Sequence, residues 1–189
     1  MSSIRLFVLG SLAERGPMHG HALRLLAEEE HIDEWADVAA SAIYGVIKRL
    51  VTEALIAGVR TEREGNYPER QVFSITETGL ESLAEIRRHA LETIVLRPDP
   101  VDLAMARLDD ASLADLPATV ESRTATLRAR LDYSESHLIE ISEHLTVMER
   151  HIMRHQAARL RGEIAWHEEL IAALPAIIHD EKSRKGPPS

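Results

Sequence analysis

The segment from Ser41 to Gly79, SAIYGVIKRLVTEALIAGVRTEREGNYPERQVFSITETG, constrains this chain most, because a helical periodicity gives way within it to a hairpin and then to a second helix start. Ile43, Val46, Ile47 and Leu50 recur at i, i+3, i+4 and i+7, which makes one apolar stripe that has to be buried. The opposite face carries Ser41, Tyr44, Gly45, Lys48 and Thr52. Hydrogen-bonding and cationic side chains of this kind suit a rod laid in a DNA major groove about 12 Å wide, where base edges offer donors, acceptors and the thymine methyl. After Leu55 and Ile56 the pattern changes to strand, with Val59 to Glu62 expected to pair with Gln71 to Ile75. The intervening turn holds Gly65, Asn66 and Pro68 and has Arg63 and Arg70 at its shoulders. Thr76 is the expected N-cap of a further helix that runs to about Leu91. This is the order of a winged helix-turn-helix with a two-stranded β wing, and double-stranded DNA is the partner it implies.

Upstream, Ile4, Leu6, Phe7, Val8, Leu9 and Leu12 form an apolar helix that ends near Arg15-Gly16-Pro17. A second helix is expected from about His19 to Glu30, with Ala22, Leu23, Leu25 and Leu26 inward. Trp35 falls in the following loop, where it either packs under the recognition helix or binds a small aromatic ligand. His19 and His21 form an H-x-H at a helix start, which reads as a cap or surface feature before it reads as a metal pair.

These residues resemble the PadR family of winged-helix transcriptional regulators. The likeness lies in Leu9-Gly10-Ser11-Leu12 through Gly16-Pro17-Met18-His19-Gly20, in Ile43-Tyr44 and Lys48-Arg49-Leu50, in Leu55-Ile56, and in Ser74-Ile75-Thr76-Glu77-Thr78-Gly79. It covers roughly the first half of the chain. Four positions depart from the family pattern: Gly45 stands where a proline is usual, Ala54 where a glycine is usual, and His21 and Phe73 where a tyrosine is common. The resemblance implies a dimeric repressor that reads a palindromic operator and is relieved by a small hydrophobic effector. Ser41, Tyr44 and Lys48 are the candidates for base-edge or adjacent phosphate contacts, and Arg49, Arg63, Asn66, Tyr67 and Arg70 for phosphate positioning and minor-groove approach. Two structural alternatives stand beside these: Tyr44 packs its ring and offers only its hydroxyl, and Arg49 pairs with Glu53 at i+4.

Charge runs against indiscriminate nucleic-acid binding. The formal net charge is −9, and up to Val95 ten basic residues face fifteen acidic ones, a balance of −5. A protein that coats nucleic acid would be basic throughout, since phosphate neutralisation supplies most non-specific affinity. Here the cationic residues Lys48, Arg49, Arg60, Arg63 and Arg70 concentrate on the recognition helix and wing, while Glu28 to Glu30, Asp33, Glu34 and Asp37 lie before them. Binding is therefore expected to rely on paired specific sites, with a steep salt dependence.

Arg97-Pro98-Asp99-Pro100 marks a boundary, because two prolines in four residues interrupt helix. The expected domains are 1–96 for DNA binding, 97–180 for dimerisation, and a disordered tail at 181–189. A short apolar segment, Val101 to Leu108, precedes a helical region, for which Ser112 and Asp115 are candidate caps. Leu127, Leu131, Ser134, Leu138, Ile141, Leu145, Met148 and Ile152 alternate four and three residues apart as a coiled-coil-like heptad seam. A second apolar series, Leu160, Ile164, Ile171 and Leu174 with Trp166 nearby, folds back on the first or meets a partner subunit. Spacing leaves open whether one helix or two form, with a break possible from His144 to Glu149. In long PadR-like proteins this region is an antiparallel helical dimerisation domain, to which Ala157 to Leu174 is loosely similar. A dimer also has a physical motive, because one small winged helix contacts too few base pairs.

His137, His144 and His151 recur every seven residues, at positions flanking that seam, with Glu135 and Glu149 nearby. The repeat reads either as solvated polar positions or as a pH-sensitive set. His151 and His155, at i and i+4, offer two metal ligands but no third, so no metal and no cofactor is assigned. No nucleophile elbow, P-loop, dinucleotide fingerprint or H-E-x-x-H occurs, and His167-Glu168-Glu169 lacks the second histidine, so no enzyme activity is expected. Cysteine is absent, Met1-Ser2-Ser3-Ile4-Arg5 is no signal start, and no apolar stretch reaches bilayer length. A cytoplasmic protein without a membrane partner is expected. Two rival readings remain: a winged helix turned into a protein-interaction module without DNA binding, and a metal or ligand sensor centred on the helical domain.

Overall fold

Apolar runs separated by caps, glycines and prolines become eight α-helices and three strands in the computed structural model, which describes residues 3–36, 38–63, 69–96 and 98–184. The chain divides into two compact units, Met1–Leu96 and Arg97–Ser189. No described helix is long and apolar enough to cross a membrane.

In the first unit, α1 (Ser3–Arg15) is followed by β1 (Met18–His19), α2 (Gly20–Glu29) and the short α3 (Ile32–Trp35). A 3-10 turn (Ala40–Ala42) then leads into α4 (Ile43–Thr52), β2 (Ile56–Glu62), β3 (Arg70–Ile75) and α5 (Glu77–Glu92). Phe7, Val8, Leu9 and Leu12 of α1 meet Leu23 and Leu26 of α2, the Ile43, Val46, Ile47 and Leu50 stripe of α4, and Leu83 of α5 in one core. The helical stripe read from spacing is thus the buried one. The hairpin forms as expected, running from Ile56 opposite Ile75 to Glu62 opposite Arg70, with an extra residue between Gly58 and Arg60 that bulges β2 at Val59. The wing is not confined to two strands. Met18 and His19 add a third on the far side of β3, opposite Phe73 and Val72, and two residues are too few to show a strand period.

Two side-chain placements differ from expectation. Leu25 faces outward on α2, where Leu23, Leu26 and Ala27 fill the buried face. Trp35 ends α3 and is 46% exposed, its indole N–H donating to the Glu30 carbonyl at 3.0 Å, so it does not pack under α4. The indole finds its partner locally, at the end of α2.

The end of α4 has a left-handed closure. Ala54 sits at φ +57°, with its N–H bonded to the Val51 carbonyl (3.0 Å) and the Leu55 N–H to that of Leu50 (2.9 Å). A left-handed residue with a Cβ costs about 1–2 kcal/mol, whereas glycine there carries an unfolded-state entropy cost of about 0.5–1 kcal/mol. Ala54→Gly is therefore expected to stabilise the first unit by about 0.5–1 kcal/mol, read as a rise in urea midpoint at constant m-value. A lower midpoint would mean that the closure carries no strain.

In the second unit, α6 (Pro100–Met105) leads to α7 (Asp110–Ile141), a 3-10 turn (Ser142–His144) and α8 (Val147–Arg184). α6 is capped by Asp99, which accepts from the Val101 N–H at 2.9 Å. Asp109, not Ser112 or Asp115, caps α7, because its carboxylate accepts the Ser112 N–H at 2.7 Å. Pro117 and Pro175 both lie inside long helices, so neither marks an end. The chain reverses where Thr146 and Glu149 form a reciprocal capping box: the Glu149 carboxylate accepts the Thr146 N–H (2.7 Å) and the Thr146 hydroxyl accepts the Glu149 N–H (3.2 Å). The Glu149 carboxyl is held below its ordinary range first by the Thr146 hydroxyl, which donates to it at 2.7 Å, and then by the Thr146 N–H.

α7 and α8 pair antiparallel, with Arg128 on Glu168 (2.6 Å) and Arg161 on Glu135. Leu113, Leu116, Val120 and Leu174 form the core near the open end of the hairpin, with Leu170, Ile171 and Ile178 packed against them. Deeper in, His167 is completely buried. Its Nδ1 lies 2.7 Å from the Glu163 carbonyl and its Nε2 accepts from Arg123 Nε at 3.2 Å, which assigns a neutral ring protonated at Nδ1. Arg123 also donates to Asp99 at 2.7 Å. The Asp99 carboxyl is held below its ordinary range first by the Val101 N–H and then by Arg123.

The reversal corrects the continuous seam. Leu127, Leu131, Leu138 and Ile141 lie on α7, Leu145 in the turn, and Met148 and Ile152 on α8, so the run is two segments facing opposite ways. His137, His144 and His151 are divided in the same manner; His137 stacks on Tyr133 (5.8 Å between ring centres). Residues 181–184 continue α8 where a tail was expected.

Candidate nucleic-acid interface

Burial of Ile43, Val46, Ile47 and Leu50 fixes the rotation of α4, and Tyr44, Gly45, Lys48, Arg49 and Thr52 are then exposed. Ser41 is also exposed, on the 3-10 turn that precedes the helix rather than on the helix itself. The Thr52 hydroxyl donates to the Lys48 carbonyl (3.0 Å), which occupies it within the helix. Neither Lys48 nor Arg49 has an ion pair among the described residues. The expected Arg49–Glu53 pair is replaced: Glu53 takes both guanidinium nitrogens of Arg5 from α1, one at 2.8 Å. The Arg5 hydrogen bonds hold the Glu53 carboxyl low. The consequence is a free Arg49 head on the exposed face, with the end of α4 tied to α1.

Tyr44 packs only part of its ring. A Cβ placed on Gly20 would come within 3.0 Å of its ring, so the ring lies against the start of α2, while the residue remains 51% exposed. On the wing, Arg60 is paired with Glu62 (2.6 Å), Arg63 is exposed and Arg70 is half-buried at the start of β3. Asn66 and Tyr67 lie outside the described residues. Two acidic groups of the preceding segment are neutralised locally, Glu28 by Arg24 and Glu30 by Arg15 (2.7 Å).

Beside α4 lies an open cleft of about 390 Å³ lined by His19, Gly20, His21, Tyr44, Ile47, Arg70, Gln71 and Phe73. His19 caps α2 through Nδ1, which accepts the Ala22 N–H at 2.8 Å and leaves the proton on Nε2. Its ring stacks with that of His21 at 6.1 Å. Burial, followed by Arg70, Arg24 and His19, pushes the His21 pKa down, and Glu28 opposes the shift. Neither histidine was assigned a role in the cleft from sequence, because Arg70 and Tyr44 join them only through the sheet and the packing of α2 on α4.

The residues considered for a dimer seam are distributed unevenly. Ile164 and Leu174 are buried within their own chain, and Ile171 packs on its core, so these three stabilise the hairpin. Leu127, Leu131, Leu138, Ile141, Leu145, Leu160 and Trp166 are half-buried. Met148 is 70% exposed and Ile152 lies open beside Val147, Ile139 and Tyr133. Among the described residues no three His, Asp or Glu side chains gather as a metal site, His151 and His155 included.

Comparison with known proteins adds to this geometry. Residues 8–85 match the model of the transcriptional regulator PadR-like family. Bacillus subtilis PadR in complex with operator DNA is similar in structure, with a TM-score of 0.69 at 18% identity over 92% of this chain and 98% of that one. The same protein in complex with p-coumaric acid gives 0.67 at 15% identity over 92% and 99%. A PadR-like transcriptional regulator from Bacillus cereus gives 0.61 at 18% identity over 90% and 94%. At these identities the structural likenesses establish the fold across both units. No curated protein matches the sequence.

Proposed function

We propose that this chain, whose residues 8–85 match the model of the transcriptional regulator PadR-like family, is a dimeric repressor that binds a palindromic operator and is relieved by a small hydrophobic effector. The observation that carries the DNA reading is the exposed cationic and hydroxyl-bearing face of α4, whose Lys48 and Arg49 have no ion pair among the described residues, presented by a buried stripe in a unit that is otherwise acidic. In this reading Tyr44, Lys48 and Ser41 meet base edges and adjacent phosphates in the major groove, while Arg49, Arg63 and Arg70, with Asn66 and Tyr67, position the backbone. The exposed apolar residues Ile139, Val147, Met148 and Ile152, with the half-buried leucines of α7, supply the surface for a second copy. The operator-bound and p-coumaric-acid-bound forms of the Bacillus subtilis protein support the two ligand classes by analogy of fold.

Lys48→Ala is the direct test. With a duplex selected from a random-sequence pool by the full-length chain, the substitution is expected to weaken binding and lower the slope of log K against log salt by about one, with dimerisation unchanged. Fluorescence anisotropy across a salt series reads this. Selection that yields no bound duplex would favour the interaction-module reading instead.

A further inference from the structure

Gly20 is buried in the first turn of α2 and lacks the positive φ that accounts for Gly16. Alanine adopts the same backbone and is the better helix former, so helix geometry gives no reason for a glycine here. Space does. A Cβ on Gly20 would fall 3.0 Å from Cε1 and 3.2 Å from Cδ1 of Tyr44, and 3.1 Å from Cδ1 of Ile47, so a neighbour would have to give way by a few tenths of an ångström. The two neighbours differ in freedom. Ile47 is 6% exposed and belongs to the core of the first unit, where a displaced side chain meets close-packed atoms. Tyr44 is 51% exposed and yields more readily. One edge of its ring, Cδ1 and Cε1, lies against the glycine, and the hydroxyl is carried one carbon beyond Cε1. Any rotation of the ring about χ1 therefore moves the hydroxyl further than it moves that edge.

We propose that Gly20 is a positioning residue for DNA contact: its missing side chain lets the Tyr44 ring lie against α2, and this contact fixes where the hydroxyl meets the duplex. The proposal rests on the DNA-binding function argued above and adds to it a residue of α2 that need not touch the duplex itself. Groups in a recognition site have to be held to within about 0.5 Å. A displacement of a few tenths of an ångström at the ring edge, enlarged at the hydroxyl, reaches that tolerance. Gly20→Ala should thus weaken operator binding through Tyr44 while the fold of the first unit is kept.

The experiment is a double-mutant cycle in the full-length chain, with anisotropy on the selected duplex at one salt concentration. Gly20→Ala is expected to weaken binding by about five- to tenfold, the lower part of the range for losing one base-edge contact, at an unchanged thermal midpoint. Tyr44→Phe keeps the ring and removes only the hydroxyl, so it should weaken binding by a similar factor, and adding Gly20→Ala to it should cost nothing more. Ile47→Val deletes the Cδ1 atom, and adding Gly20→Ala to it should cost the full five- to tenfold again. A loss on Gly20→Ala that persists in Tyr44→Phe overturns the proposal, because the glycine then acts on something other than the hydroxyl. So does a loss that disappears in Ile47→Val, or wild-type affinity in either Gly20→Ala or Tyr44→Phe. If Gly20→Ala lowers the thermal midpoint, the cycle with Tyr44→Phe is run in the Ile47→Val background, and a midpoint loss that persists there also overturns the proposal. In all these cases Lys48→Ala still lowers the salt slope, and the DNA function stands. If the wild type binds no duplex, both fail together.

Discussion

Gly79→Ala is expected to destabilise the first unit by about 3 kcal/mol, at the upper end of the range for forcing an atom into packed space. Gly79 lies in the first turn of α5, where exchange for alanine in an open helix would be stabilising by up to about 1 kcal/mol. The two effects have opposite signs, so the experiment decides between them. A Cβ on Gly79 would fall 2.1 Å from the Leu55 carbonyl oxygen and 2.7 Å from Ile75 Cγ1. That carbonyl cannot simply retreat: it accepts the Thr76 N–H at 3.0 Å, and Leu55 is itself buried and bonded to Leu50. Thr76 is further held by its hydroxyl, which donates to Ala54 (2.8 Å) and accepts from the Gly79 N–H (3.0 Å). A single methyl thus strains the closure of α4, the β2–β3 ladder and the cap of α5 together. For a unit of this size the cost corresponds to a loss of about 12–24 °C in melting temperature, read by circular dichroism. An unchanged or raised midpoint would show that the α5 start moves away freely.

Removal of everything after Leu96 is expected to leave a folded, monomeric winged helix whose affinity for the selected duplex falls by about 10²–10⁴-fold. The first unit has its own core, from Phe7 to Leu83, and none of those residues comes from the second unit. Folding is therefore retained while the tethering of two half-site readers is lost. Sedimentation gives the mass of the truncated chain and anisotropy its affinity. A truncated monomer that binds as tightly as the intact chain would remove the dimer from the mechanism.

Much of this architecture is legible before any coordinates, for local reasons. The Ile43, Val46, Ile47 and Leu50 stripe determines which side of α4 faces out, because period and burial are tied on a helix. Thr76 caps α5 as read, since a threonine ahead of a helical run has an orphan N–H within its own reach. The Thr146–Glu149 box was equally present as a T-x-x-E signature within the interval left open for a break, and it turns an apparent heptad seam into an antiparallel hairpin. Where partners are distant in sequence, spacing carried no signal. Glu53 had Arg49 one turn away and took Arg5 instead, 48 residues earlier. His167, read only as part of an incomplete H-E motif, is a buried link between the Glu163 carbonyl and Arg123.

The sequence alone determines the periodicities, the capped helix starts and the order helix, hairpin, helix, because these depend on interactions within a few residues. It also determines that the cationic groups cluster around α4 and the wing in an otherwise acidic half. Only the tertiary structure decides that Met18 and His19 join the sheet, that Leu25 faces out, that Ile164 and Leu174 stay inside their own chain, and that His21, Tyr44 and Arg70 share one cleft. Those outcomes depend on which surfaces meet once the chain has folded back on itself, and a contact across tens of residues leaves no period in the sequence.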